Sequence, residues 1–322
     1  MKINYKILFT ITLLVVMVVI PGMPRADVIV RYLLWAFLII TLSSGWNIIG
    51  GYAGQFSLGH SVFYGVGAYV FVMFFHSFKI HWALSILIAG IFSTITSVAI
   101  GIPTLRLRGG YFAVGTLALS EVMRVWANNA PEVFKGGVTG IAVTLPEGWS
   151  IIHSYYLMLN LTVIAIATSY FVKNSTLGLK LRAIKDDEDA AEGLGVNVLT
   201  CKIVALMLSS LIVGLAGATQ ITFTAYVSPD SVFGTKRSLE MVLACLLGGL
   251  GTIYGPIIGG ALFELLARIL WGFPHFHLLI YGSIIAVLIV FEPRGVIGIA
   301  DKLKHILRLK QFLKVNSIAR GR

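Results

Sequence analysis

The chain has 322 residues, of which 57% are hydrophobic and only 12% charged, with a mean hydropathy of +0.89. These proportions exclude a soluble domain and describe an all-α polytopic membrane protein. The formal charge of +11 does not point to nucleic acid, because the basic residues lie between apolar runs and at the C-terminus instead of gathering with stacking aromatics.

A helical span takes about 20 apolar residues, and the chain offers roughly ten such stretches. The run 2–20 reads as an uncleaved first helix, since Met23, Pro24, Arg25 and Ala26 offer no small-residue cleavage site. Spans are expected over 28–49, 60–78, 82–102 and 111–126, followed by a long polar-to-amphipathic stretch, 127–153. Further spans are expected over 155–172, 202–227, 239–250, 254–271 and 276–291, with a polar interval at 173–202. The 239–250 segment is short and either crosses or re-enters. With ten crossings and the N-terminus inside, 173–202 and the C-terminal tail both fall on the cytoplasmic side. Most of the 25 Lys and Arg residues then lie there, as the positive-inside rule requires. The chain thus divides into a permease-like membrane domain, 1–300, and a basic tail, 301–322. In that tail Leu303, Ile306, Leu307 and Leu313 recur at helical spacing among basic residues, which suits a helix lying on an anionic leaflet; a frayed tail is the alternative.

The interval 173–202 is the longest clearly polar one between spans. Asp186, Asp187, Glu188 and Asp189 gather where a short helix, about 187–194, would begin, and carboxylates there complement the helix dipole. Gly193 and Gly195 sit where it should stop, and Lys180, Arg182 and Lys185 precede it. The interval is either a solvated loop or a handle for a soluble partner, and its internal order favours the handle.

The 34 glycines are unevenly placed, and two segments, 50–59 and 248–256, stand out. Both are too apolar for simple loops and too glycine-rich for stable helices, and broken backbone at that depth is tolerated only where protein buries it or water lines it. Gly51, Gln55, Ser57, Gly59 and His60 in the first, with Gly248, Gly249 and Gly251 in the second, are therefore candidates to line a pathway. Close helix packing through small residues is the alternative for any one glycine. One break in each half leaves an inverted repeat open.

Glu121, Glu240, Glu264 and Glu292 fall in or beside apolar runs, where carboxylates are functional candidates by default. Glu121 with Arg124, and Glu264 with Arg268, stand at helical spacing for ion pairs, which favours a structural role over ion coupling. The phosphate-binding pattern G-x-x-x-x-G-K-[ST] is missing, as is H-E-x-x-H. The seven histidines show no ligand spacing, and Cys201 and Cys245 suggest neither a metal site nor a disulfide. No catalytic constellation stands out, so the chain is expected to be no enzyme and to bind no cofactor. If ATP drives it, another chain supplies the ATPase.

Several segments, taken together and in order, resemble one family. They are Gln55 to His60 (QFSLGH), Arg106 to Ala113 (RLRGGYFA), Leu181 to Glu188 (LRAIKDDE) with Ala190, Ala191 and Gly195, Val227 to Ser231 (VSPDS), and Leu247 to Thr252 (LGGLGT) with Gly255 and Pro256. The set is similar to the permease subunits of high-affinity branched-chain amino acid ABC importers, and closest to the M-type, which pairs with a sister H-type permease. The resemblance implies two ABC ATPase subunits that bind ATP and Mg, and an extracytoplasmic amino-acid-binding protein docking near 127–153. It implies a multi-pass bacterial inner-membrane protein with both termini cytoplasmic. It also makes the polar interval a coupling loop, in which Arg182, Asp186, Asp187, Glu188, Ala190, Ala191 and Gly195 follow a shortened E-A-A…G signature that docks on the ATPase. Where the family has T-G-G before a polar residue and glycine, this chain has Lys135, Gly136, Gly137, Val138, Thr139 and Gly140. Urea and short-chain amide importers use related permeases, and a secondary, ion-coupled transporter is the competing class.

Overall fold

The computed structural model describes residues 12, 15–24, 26–130, 137–270, 283 and 295–298. Most of the expected first helix and of the expected span 276–291, together with Glu292, Lys135, Gly136 and the tail 301–322, lie outside the described residues.

Among the described residues, four stretches are long and apolar enough to cross a membrane: Asp27–Tyr52, Trp82–Thr104, Ile151–Asn174 and Val198–Thr224. The first comprises helix α1 (Asp27–Asn47) and a π-helical turn (Ile48–Tyr52); the others are α3, α5 and α8. Between them lie α2 (His60–Val72), which also runs into a π turn (Met73–Ser77), and α4 (Gly110–Asn129). The polar interval forms α6 (Thr176–Asp186) and α7 (Glu188–Gly193). After α8 come the short α9 (Pro229–Phe233), α10 (Thr235–Gly248) and α11 (Tyr254–Ile269). The 14 residues of α10 reach only about 21 Å, short of a hydrocarbon core of about 30 Å.

Most boundaries lie within a few residues of those read from hydropathy, and local chemistry accounts for the shifts. Helix α8 starts at Val198, ahead of the expected 202, because the Asn197 carboxamide accepts from the Thr200 amide at 3.0 Å. Helix α10 starts before 239 and stops at Gly248, where Gly249 takes φ 125°.

Helices α1 and α8 form the centre. Every residue from 36 to 53 is buried, which is how a helix enclosed on all sides reads. Helix α8 packs on α1, α2, α3 and α5, while α1 also meets α10 and α11. Between α2 and α8 the backbones touch: a Cβ on Gly67 would strike the Gly214 carbonyl. Hydroxyls bind the bundle further, Thr41 with Thr162 at 2.9 Å and Ser93 with the Phe63 carbonyl at 3.0 Å, the small-residue and polar packing typical of helices in lipid.

Part of the stretch 127–153 is folded. Strand β1 (Ile141–Ala142) pairs antiparallel with β2 (Tyr226–Val227), Ile141 opposite Val227. The Trp149 indole donates to Ser154 Oγ at 3.0 Å and to the Thr222 carbonyl at 3.2 Å, so this segment is fastened to the end of α8.

Candidate functional site

The polar interval is two helices joined by one extended residue. Helix α6 buries Leu181 and Ile184 and turns its polar residues outward. Arg182 points back along it: Nε donates to the Gly178 carbonyl and Nη2 to the Lys173 carbonyl, both at 3.2 Å, which closes the end of α5. Asp186 is exposed. Asp187 breaks the run at φ −157° and caps α7, its Oδ1 accepting from the Ala190 amide at 2.9 Å. The expected helix thus begins one residue later than its acidic cluster suggested. Gly195, at φ 83°, ends it in a left-handed conformation that side chains resist. Ala191 is buried beneath α7, whereas Ala190 faces outward.

Three cations tie this loop to the membrane helices. Lys202, fully buried in the first turns of α8, places Nζ 2.7 Å from Glu188 Oε1. Arg108, just before α4, holds Asp189 Oδ1 at 2.8 Å and stands 3.9 Å from Glu188. Lys185, near the end of α6, donates to the Gly51 carbonyl at 2.9 Å.

That last bond lands where the two glycine-rich segments meet. Asn47 clasps the second segment with both ends of its carboxamide: Oδ1 accepts from the Gly251 amide and Nδ2 donates to the Thr252 carbonyl, each at 2.9 Å. A Cβ on Gly51 would collide with Asn47 Oδ1 and lie 2.8 Å from the Gly251 nitrogen. Gly251 itself has φ 71°, and a Cβ there would lie 3.1 Å from the Gly51 carbonyl oxygen. The polar interval, the first break and the second break are therefore one contiguous joint.

The other candidate lining residues sit beside this joint in tight packing. Ser57 Oγ is 2.8 Å from His60 Nδ1, and His60 Nε2 is 2.9 Å from Ser209 Oγ on α8. The Trp46 indole donates to the Ser57 carbonyl at 2.8 Å. Gln55 is buried, its amide donating to the Ile49 carbonyl at 3.1 Å. Gly59 abuts the Thr116 carbonyl of α4, and a cavity of about 10 Å³ opens between Ser57, Gly59, Thr104 and Thr116, about the room of one water. Gly248 lies against Gly255, letting α10 and α11 approach, and Gly249 is buried at the turn between them.

Of the carboxylates read in or beside apolar runs, the described Glu121, Glu240 and Glu264 each carry an arginine partner. Glu121 meets Arg124 at 2.8 Å and Glu264 meets Arg268 at 3.6 Å, the two pairs the spacing suggested. Glu240 has one as well, Arg237 at 2.8 Å. The i,i+3 spacing of these two residues was the available signal for that pair. Arg237 also lies over Trp35 and Tyr64, 5.7 and 5.6 Å from the ring centres. Toward the other end of α4, the Arg124 guanidinium and then the Asn128 amide hold the Asp230 carboxyl below the usual carboxylate range. The partners of Asn47, Arg108, Lys185 and Lys202 escape a reading by motif, because a lone polar residue or a topological charge does not disclose what it meets at a distance.

Residues 28–291 match the family described as branched-chain amino acid transport system, permease component. The chain is similar to the high-affinity branched-chain amino acid transport system permease protein LivM of Salmonella typhimurium, at 27% identity over 90% of this chain and 74% of that protein. It is similar to LivM of Escherichia coli to the same degree. The permease protein LivH of Salmonella typhimurium is 26% identical over 54% of this chain and 52% of its own length. No solved structure matches.

Proposed function

The chain belongs to the family of branched-chain amino acid transport system permease components, and we propose that it is one of two permease subunits in an ATP-driven importer of leucine, isoleucine and valine. The second permease would be of the LivH kind, since similarity runs to both LivM and LivH. Two ATPase subunits would bind the ATP and Mg, and a binding protein outside the bacterial inner membrane would deliver substrate near 127–153. About ten spans within residues 1–300, with both termini and the basic tail 301–322 cytoplasmic, complete this reading.

One observation carries the mechanism: Lys185, five residues before Ala190, bonds the Gly51 carbonyl at the point where Asn47 holds Gly251. In this account ATP binding closes the ATPase pair and shifts α7. Helix α6, kept in register with α5 by Arg182, carries the shift to Lys185. The two glycine-rich segments then separate or close, and the residues beside them, Gln55, Ser57, Gly59, His60, Gly248 and Gly249, become or cease to be a lining. Asp187 keeps α7 helical, Gly195 ends it, Ala191 seats it, and Asp186 and Ala190 face the partner. A secondary transporter would need a carboxylate available to a proton or cation, whereas Glu121, Glu240 and Glu264 are each paired with arginine.

The test is a mild-detergent pulldown of the chain from native membranes with mass spectrometry of what is retained. An ABC ATPase and a second glycine-rich permease are expected. Recovery of the chain alone, intact and monodisperse, would overturn the importer reading.

A further inference from the structure

Lys202 has no solvent exposure, and Glu188, at 2.7 Å, is the carboxylate that compensates it. A buried ammonium that loses its carboxylate is left uncompensated, so breaking this pair costs more than breaking a surface ion pair. Helix α8 is also the element on which α1, α2, α3 and α5 pack. On the same side of α7, Arg108 takes Asp189 at 2.8 Å. Both acidic residues in the first turn of α7 are thus engaged by this chain's own cations. What α7 presents outward is Ala190, Glu192, Gly193 and the solvent side of Asp189, whose side chain is 75% exposed, followed by Leu194, which is 84% exposed. No atom lies within 4 Å of where a Cβ on Gly193 or Gly195 would stand.

We propose that Lys202 is a positioning residue for transport, fastening the coupling helix to α8 through Glu188, while the ATPase meets the opposite side of that helix, at Ala190, Gly193 and Leu194. The proposal rests on the reading of α7 as the helix an ATPase grips. It deepens that reading by dividing the signature in two: Glu188 faces the permease, and Ala190 and Gly193 with Leu194 face the partner. Motion imposed on α7 then reaches α8 directly through one buried ion pair, in parallel with the route through Lys185.

The experiment uses the chain assembled with its partner permease and ATPases in proteoliposomes, reading ATPase retained per permease and labelled leucine moved per ATP hydrolysed. E188Q and K202M should keep the ATPase bound and hydrolysing while moving about tenfold less leucine per ATP, and the charge swap E188K/K202E should recover most of that loss. L194E should release the ATPase. The rescue is the readout that a merely space-filling role would not move. Release of the ATPase by E188Q, wild-type leucine per ATP in both single variants, or a swap no better than either single would overturn the proposal. If K202M does not accumulate in the membrane, the isosteric E188Q decides alone. A wild-type preparation that retains no ATPase would instead overturn the importer reading, and this proposal with it.

Discussion

Gly51 shows how much a single position constrains. Its missing side chain lets Asn47 reach across to Gly251, and its carbonyl accepts from Lys185. A methyl group there must displace the clasp, so Gly51→Ala is expected to destabilise the protein by about 1–3 kcal/mol, the usual range for overpacking, and to lower the unfolding temperature in detergent. Gly193→Ala is the matched control: it lies on α7 with open space around it, and a helical alanine should be neutral or stabilising by up to about 1 kcal/mol. An equal drop in both would contradict the joint. Asp187 makes a second residue-scale prediction. Replacing it with alanine removes the cap on the Ala190 amide, worth about 1 kcal/mol, and should speed hydrogen exchange across residues 190–194 while leaving α8 protected. That cap was legible because an N-cap is local chemistry. The inward aim of Glu188 was not, because its partners lie at positions 108 and 202, and no spacing rule connects a carboxylate to cations contributed by other elements.

Among the elements, α10 was the ambiguous one, and its length explains why. A helix of 14 residues does not cross the core by itself, and it is held instead by charge and aromatic contacts that hydropathy ignores. Arg237 pairs with Glu240 and lies over Trp35 of α1 and Tyr64 of α2, which fixes α10 against both. Arg237→Leu should leave Glu240 as an unpaired, largely buried charge and cost about 3 kcal/mol or more, whereas the double change Arg237→Leu with Glu240→Leu should recover a large part of it. Thermal unfolding of the three proteins checks this, and a single variant as stable as the wild type would show that the pair is not desolvated. The glycine-rich breaks were visible as elements, because glycine recurs too often in 50–59 and 248–256 for a stable helix. Their mutual contact was not, since roughly 200 residues separate Gly51 from Gly251 and only the folded chain brings them together.

At the scale of the whole molecule, a closely packed pair of central helices, α1 and α8, is flanked by shorter, broken pieces that meet at Asn47, Gly51, Gly251 and Lys185. Long apolar runs announced the membrane class, and an ordered set of short segments pointed to the family that the match over residues 28–291 establishes. A rigid core with a hydrogen-bonded seam at its breaks is suited to two discrete arrangements, and a loop bonded to that seam is suited to choosing between them. Energy from outside the chain would then select the arrangement.

The most direct test is leucine uptake into proteoliposomes holding this chain, its partner permease and the ATPases, with binding protein and labelled leucine on one side and ATP on the other. The account predicts accumulation that requires ATP hydrolysis, persists when an uncoupler collapses ion gradients, and falls sharply with Lys185→Met while the ATPase stays bound. Accumulation driven by an ion gradient without ATP, or abolished by the uncoupler while ATP is maintained, would contradict it.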